Sequence, residues 1–332
     1  MMADFWRGKK VLVTGAGGFI ASHLVERLVQ HGAQVRAFVR YNSRADPGLL
    51  SLIPAPLFSE LELVAGDLRD AAAVELAMQD MEVVFHLGAL IDIPYSYLHP
   101  VEVVESNVIG TLNVLMAGRV CGVERIVHTS TSEVYGTALR APIDESHPLQ
   151  GQSPYAASKI SADKLAESFN RSFDLPIVTL RPFNTYGPRQ STRAVIPTII
   201  TQALTQAVVF LGNLDARRDL TFIADTVEGF LKVAEAPDVE GETFNLGSGV
   251  EISIGELATL IFELTGSQVE IVIDKERLRP EKSEVQRLLA NNSLARERIG
   301  WEPHYTLRDG LQTTIAWIRE NLDYYKPGTY QY

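Results

Sequence analysis

The chain has 332 residues, 46% hydrophobic and 21% charged, the balance of an ordinary globular protein with room for one large domain or two small ones. A formal charge of −11 argues against a nucleic-acid backbone as partner, and a single cysteine rules out a disulfide framework within the chain. The seven histidines form no HExxH pattern or close Cys/His cluster, so no metal site is expected, and the longest uncharged run, 194–214, is too polar for a membrane span.

In chain order, "MMADFWRGKK" leads straight into a strand, with no targeting segment expected and a cytoplasmic location implied. "KKVLVTGAGGFIASHLVERLVQHG" reads as a buried strand, a glycine turn and a helix in which Ile20, Leu24, Leu28 and Val29 recur at helical spacing. Further strands follow at "AQVRAFVR", "LELVAGDL", "MEVVFHLGA", "VERIVHTST" and "LPIVTLRP". Helical patterns separate most of them: "DAAAVELAMQ", "VEVVESNVIGTLNVLMAGRVC" and "SPYAASKISADKLAESFNRSF". Alternating strands and helices predict an α/β fold, a doubly wound parallel sheet of Rossmann type. Cys121, at the end of an apparently buried helix, is expected in the core. From about residue 182 prolines loosen the pattern, and the short strands "AVVFLG", "ETFNLG" and "VEIVI" predict a smaller substrate-binding lobe. The expected division is 1–181 for the dinucleotide domain, with returning segments from the C-terminal half, 182–325 for the lobe and 326–332 for a tail.

The turn "TGAGGFIA" places Gly15, Gly18 and Ala21 where a dinucleotide site needs a tight turn, close approach of a pyrophosphate and close helix–strand packing. The second strand ends in Arg40, followed by Asn42, Ser43 and Arg44. Arginine in place of an acidic residue there suits a ribose 2′-phosphate, so NADP is favoured over NAD. Asp67 and Leu68, in "GDLRD", end the third strand where an adenine edge could be read; the alternative for Asp67 is a helix N-cap.

"SPYAASKISADK" puts Tyr155 and Lys159 four apart, on one face of a helix. A nearby ammonium favours the phenolate, which would make Tyr155 a usable base near neutral pH. The stretch "HTSTSEVYG" before it offers hydroxyls at Ser130, Thr131 and Ser132 and one carboxylate, Glu133. His86 and His128 lie inside strands and read as core histidines.

Together with "SNVIGTLNVL", "RPFNTYGPRQ", "RRDLTFIADTV" and "ETFNLGSG", these segments resemble the extended short-chain dehydrogenases/reductases, a family of NAD(P)-dependent sugar-nucleotide epimerases, dehydratases and decarboxylases. The resemblance covers essentially the whole chain. "LIDIPYSYLHP", "PLQGQSPYAASK", "NTYGPRQSTRAVIPTIITQ" and "RLRPEKSEVQRLLANNSLARERIGW" sharpen it to UDP-N-acetylglucosamine 4,6-dehydratases of the legionaminic acid pathway type; a GDP-linked sugar is the other option.

The resemblance implies a tightly held nicotinamide dinucleotide, contacted also by Phe19, Ile20, Leu87, Ala89, Asn107 and Ser130 besides Tyr155 and Lys159. It implies that Tyr155 takes the O4 proton while hydride leaves C4, that Thr131 or Ser130 hydrogen-bonds O4, and that Glu133 removes the C5 proton before water leaves from C6. It assigns Tyr95, Asn184, Val195, Arg218 and Arg279 to the substrate, the two arginines to its diphosphate. It also implies a homodimer through helices near residues 100–120 and 155–170. The chain departs from dTDP-glucose dehydratases at Ser132, where those carry an acid, so Glu133 is expected to do both proton transfers of the elimination. The alternatives are a UDP-glucuronate decarboxylase, for which "LIDIPYSYLHP" supplies no clear cation, a 4-epimerase, for which Glu133 would be superfluous, and a noncatalytic NADP-binding regulator.

Overall fold

The computed structural model describes residues 5–278 and 280–325. Six strands form the first half: β1 (Lys10–Thr14), β2 (Gln34–Arg40), β3 (Glu62–Gly66), β4 (Val83–His86), β5 (Arg125–Thr129) and β6 (Ile177–Pro182). Then come β7 (Asn184–Tyr186), β8 (Val208–Leu211), β9 (Arg217–Phe222), β10 (Thr243–Leu246), β11 (Glu251–Ser253), β12 (Glu270–Ile273) and β13 (Arg287–Leu288). The main sheet runs β10-β6-β5-β4-β1-β2-β3, with every neighbouring pair parallel.

Helices cover both faces of this sheet, so its central strands carry apolar side chains in succession rather than alternately. Val11, Leu12 and Val13 in β1 are fully buried, as are Val84 and Phe85 in β4 and Ile126 and Val127 in β5. Each such side chain contributes about 1.5–3 kcal/mol when it leaves water. The helix Phe19–Gln30 buries Leu24, Val25 and Leu28 and ends beside Gly32, whose positive φ of 81° suits a glycine just past a helix. The helix Pro154–Phe173 starts with the Ser153 side chain accepting from the Ala156 amide and proline in its first turn.

Three features differ from the sequence reading. The strand β10, read from "ETFNLG" as part of the lobe, pairs with β6 and completes the main sheet, because Phe244 and Leu246 are fully buried there. The segment read as one helix across 101–121 has a wide turn at Glu105–Ile109, between Pro100–Val104 and Gly110–Cys121. Cys121 is half-buried at the end of that helix, not in the core. In addition, "LIDIPYSYLHP" contains a short helix, Ile93–Leu98, capped by Asp92 accepting from the Tyr95 amide at 2.8 Å.

The lobe is built around β9, which pairs with β7, β11 and β13, and around the β8–β12 pair. Asp219 on β9, fully buried, holds it together: it accepts from the Ser248 amide (2.7 Å) and hydroxyl (2.6 Å), the Gly249 amide (2.9 Å) and the Ala290 amide (3.1 Å). Burial still keeps its carboxyl above the ordinary value, with these bonds offsetting part of the effect. Replacing Asp219 by Ala leaves several buried donors without an acceptor, so urea unfolding should show a loss of about 3 kcal/mol.

Candidate active site

The carboxyl ends of β1 to β4 form a cleft behind the glycine turn. Gly15 adopts φ 66°, and a Cβ there would sit 2.6 Å from the Gly88 Cα, so the turn and the close approach both require glycine. Gly18 precedes the helix Phe19–Gln30 without a side-chain cap, and no acidic residue lies in its first turn. The free amides and positive helix end fit a pyrophosphate, so these residues suit a dinucleotide. Phe19 and Ile20, half-buried, begin that helix.

A cavity of about 130 Å³ beside the turn is lined by Phe38, Arg40, Asp67, Leu68, Ala89 and Ser106, an adenosine-sized wall. Arg40 reaches it while paired with Glu102 at 3.3 Å. Asp67 is held by Arg69 at 2.7 Å, a hydrogen bond that keeps its carboxyl below the ordinary value; the helix cap is Asp70 instead. Asn42, Ser43 and Arg44 are exposed and line none of this cavity. Asn42 closes its own loop, accepting from the amides of Arg44 (3.1 Å) and Asp46 (3.0 Å). Leu87 packs against the core. Asn107, read as a cofactor contact, is buried in the wide turn and spends its amide on the Leu90 backbone (2.7 and 2.9 Å) and the Ser158 hydroxyl (2.9 Å). It braces the loop after β4.

The candidate catalytic residues come from two elements. Thr131 and Glu133 follow β5, and Tyr155 and Lys159 share one face of the helix Pro154–Phe173. The Thr131 hydroxyl lies on the side of the Tyr155 phenol where it favours the phenolate, and Lys159 Nζ donates to the Thr129 carbonyl at 2.7 Å. The sign expected for Tyr155 is reversed: burial holds its phenol above the ordinary value, the Thr131 hydroxyl offsets part of this, and the Glu133 charge adds to it. Burial brings Lys159 down to about 8, against the pull of Asp163. Ser130 points away from the cleft, donating to Asp163 at 2.8 Å, which leaves Thr131 as the hydroxyl beside Tyr155. His86 and His128 are buried in hydrogen-bonded positions, His86 between Thr14 (2.8 Å) and Thr111 (3.0 Å). Asp163, which the sequence reading passed over, sits a further turn along the Tyr155–Lys159 stripe, and that i, i+4, i+8 spacing was its only sequence signal.

A second cavity, about 440 Å³, opens from Glu133 into the lobe. Glu133, Asn184, Val195 and Arg218 line it. The Asn184 Oδ1 is buried without a hydrogen-bond partner among the described residues, an acceptor in need of a donor. Arg218 pairs with Glu284 at 3.3 Å in the same wall. Ser132 is buried and does not line the cavity. Tyr95 does not line it either: its hydroxyl donates to Glu102 at 2.5 Å and its ring stacks on His99. Tyr97 and Pro94 take that place, because the short helix turns alternate side chains in opposite directions. Arg193, not singled out in the sequence, adds a guanidinium to the wall, 4.0 Å from Asp92. Arg279 lies outside the described residues. Among those residues, no group of His, Cys, Asp and Glu side chains could hold a metal ion, and no helix is long and apolar enough to cross a membrane.

Residues 12–314 match the family model described as GDP-mannose 4,6 dehydratase. The chain is 34% identical over 316 residues to a UDP-glucose 4-epimerase of Mycolicibacterium smegmatis, covering 93% of this chain and 98% of that one. It is 31% identical over 327 residues to the dTDP-D-glucose 4,6-dehydratase of Mus musculus, covering 96% and 91%. The crystal structure of a dTDP-glucose 4,6-dehydratase from Streptomyces venezuelae, with NAD bound, superposes with a TM-score of 0.85 at 30% identity, covering 96% and 99%.

The cavity wall makes Tyr97, not Tyr95, the tyrosine that a nucleotide sugar would meet. Tyr97→Ala should raise KM about 10-fold, as loss of a packed contact does, while Tyr95→Phe should leave KM within about 2-fold. Steady-state kinetics on the two variants compare them directly.

Proposed function

The chain belongs to the extended short-chain dehydrogenase/reductase family of nucleotide-sugar epimerases and dehydratases, and we propose that within it the protein is a 4,6-dehydratase of a UDP-linked N-acetylhexosamine. The observation that carries this reading is the Glu133 carboxylate, which faces the sugar cavity immediately beyond the Thr131–Tyr155 pair. A 4-epimerase needs no base at C5, whereas elimination across C5 and C6 does.

In this reading Tyr155 takes the O4 proton while Thr131 orients that oxygen; the Lys159 ammonium and the positive ring of a bound oxidised nicotinamide would supply the charge that offsets the burial raising the Tyr155 phenol. Gly15 and Gly18 would hold a bound NAD or NADP at the helix end, and its chemistry there would be reversible hydride transfer, from C4 and later to C6. The 4-keto group acidifies the C5 hydrogen. Glu133 takes that proton and passes it to the departing C6 hydroxyl, so water leaves and Glu133 is regenerated as a carboxylate; as hydride is returned to C6, C5 takes up a proton from solvent, and Tyr155 releases to solvent the proton it took from O4. Ser132, buried and off the cavity wall, leaves both transfers to Glu133. The lobe supplies Asn184, Val195 and Arg218 to the nucleotide diphosphate side, with Arg279 expected there too.

Arg40 on the adenosine wall supports NADP, although its Glu102 partner and the distance of Arg44 from the cleft weaken that preference. The reading includes a cytoplasmic homodimer, for which Val101 and Val104 on Pro100–Val104, Met116 and Val120 on Gly110–Cys121 and Phe173 on Pro154–Phe173 offer exposed apolar side chains. A second reading comes from Arg193, whose guanidinium could receive the C5 carboxylate of a uronic acid, the cation missing from "LIDIPYSYLHP".

Offered a panel of UDP- and GDP-linked sugars, the protein should form a 4-keto-6-deoxy product from UDP-N-acetylglucosamine, detected by mass spectrometry together with the released cofactor. Turnover of UDP-glucuronate alone, with loss of carbon dioxide, would favour the second reading. Glu133→Gln should keep C4 oxidation and slow dehydration by about 10²–10⁴-fold, the usual contribution of a general base. Near-normal dehydration by that variant would remove Glu133 from the mechanism.

A further inference from the structure

Asp163 is 5% exposed and lies behind the reacting groups, so it does not touch the sugar cavity. Its carboxylate joins three elements. Oδ1 accepts from His128 Nε2 at 3.1 Å, and Oδ2 accepts from Ser130 Oγ at 2.8 Å and from Arg181 Nε and Nη2 at 3.2 and 3.0 Å. His128 and Ser130 flank Thr129, whose carbonyl receives the Lys159 ammonium. The next residues along the chain are Thr131 and Glu133. One carboxylate on the helix therefore grips the strand end on both sides of the carbonyl that holds Lys159.

The charges around it are few. Lys159 and Tyr155 face it from its own helix, His128 from β5, Glu133 from beyond β5, and Arg181 from β6, with His86 on β4 ring to ring with His128 at 5.9 Å. Arg181 also donates to the Tyr135 hydroxyl at 2.8 Å, and Glu145 approaches from the loop behind. Burial keeps His128 below its ordinary value, with its Asp163 bond offsetting part of the effect. Two buried cations, Lys159 and Arg181, thus share Asp163. Burial alone would raise its carboxyl; the His128 bond and the charges of Arg181, His128 and Lys159 outweigh it and hold it ionised. Asp163 and Arg181 also border a cavity of about 530 Å³ on the side of the helix away from the sugar.

We propose that Asp163 is a positioning residue: it locks the catalytic helix to the strand end carrying Thr131 and Glu133, and it keeps the Lys159 ammonium charged between them. The proposal rests on the reaction proposed above only for its kinetic arm. Without the carboxylate, Lys159 would stay buried and lose the charge that opposes that burial, and a dry site favours the neutral amine.

The test is titration of Lys159 in the full chain carrying ¹⁵N-labelled lysine side chains, its NMR signal identified by its loss in Lys159→Met. Asp163→Asn should lower the Lys159 midpoint by at least about 1 pH unit, whereas Ser130→Ala, which removes a hydrogen bond and keeps the charge, should leave it within about 0.3. An unchanged midpoint in Asp163→Asn overturns the proposal, because a purely structural role would lower thermal stability without moving that titration. Should Asp163→Asn fail to fold, Asp163→Glu is read instead. It keeps the charge but displaces the carboxylate, so the midpoint should hold while keto-sugar formation slows about 10-fold or more. Parental rate in Asp163→Glu overturns the positioning role. A parent inactive on every nucleotide sugar would defeat the proposed reaction and leave the titration decisive.

Discussion

A lysine ammonium donating to the last carbonyl of a buried strand ties the two halves of the active site together. Lys159 Nζ reaches the Thr129 oxygen at 2.7 Å, from a helix to the end of β5. Thr131 and Glu133 come from that strand end; Tyr155, the proposed base, comes from the helix. A parallel sheet leaves its strand-end carbonyls outside the ladder, so they need other donors. Here the donor is a residue of the site itself, so the hydrogen bond that completes the strand also sets the spacing of the reacting groups.

Burial dominates the electrostatics of this center. It raises the Tyr155 phenol and lowers the Lys159 ammonium, and in both cases it outweighs the neighbouring charges and hydrogen bonds. Arg218 in the lobe and Arg40 at the adenosine wall are both set against glutamates, Glu284 and Glu102. Partly screened guanidiniums of this kind can receive phosphate oxygens without standing as uncompensated buried charges when the phosphates are elsewhere.

Much of the site was legible in one dimension because its parts are local motifs. The glycine turn needs φ 66° at Gly15, a requirement that only glycine meets easily. Tyr155 and Lys159 are four apart, which on any helix means one face. Glu133 is two residues from Thr131. Other assignments depended on which way a side chain turns, which spacing alone does not state. Tyr95 and Tyr97 are two residues apart on a short helix, and only Tyr97 meets the cavity. Ser130 and Asn107 have polar side chains near the cleft, yet both turn inward to partners distant in sequence, Asp163 and Leu90. Arg193 went unread because a lone arginine in a loop carries no signal until the fold closes a cavity around it.

By itself the sequence determined the alternation of strands and helices, the dinucleotide turn, the Tyr–Lys pair and the presence of a single carboxylate after β5. Each follows from backbone periodicity or short spacing, which operate within a few residues. Only the tertiary structure decided that β10 returns to the main sheet, that Asp163 joins β5, β6 and the catalytic helix, and that Tyr155 is raised rather than lowered. Those outcomes depend on which distant groups are brought together and how much water is excluded around them, and neither is a property of any short stretch of chain.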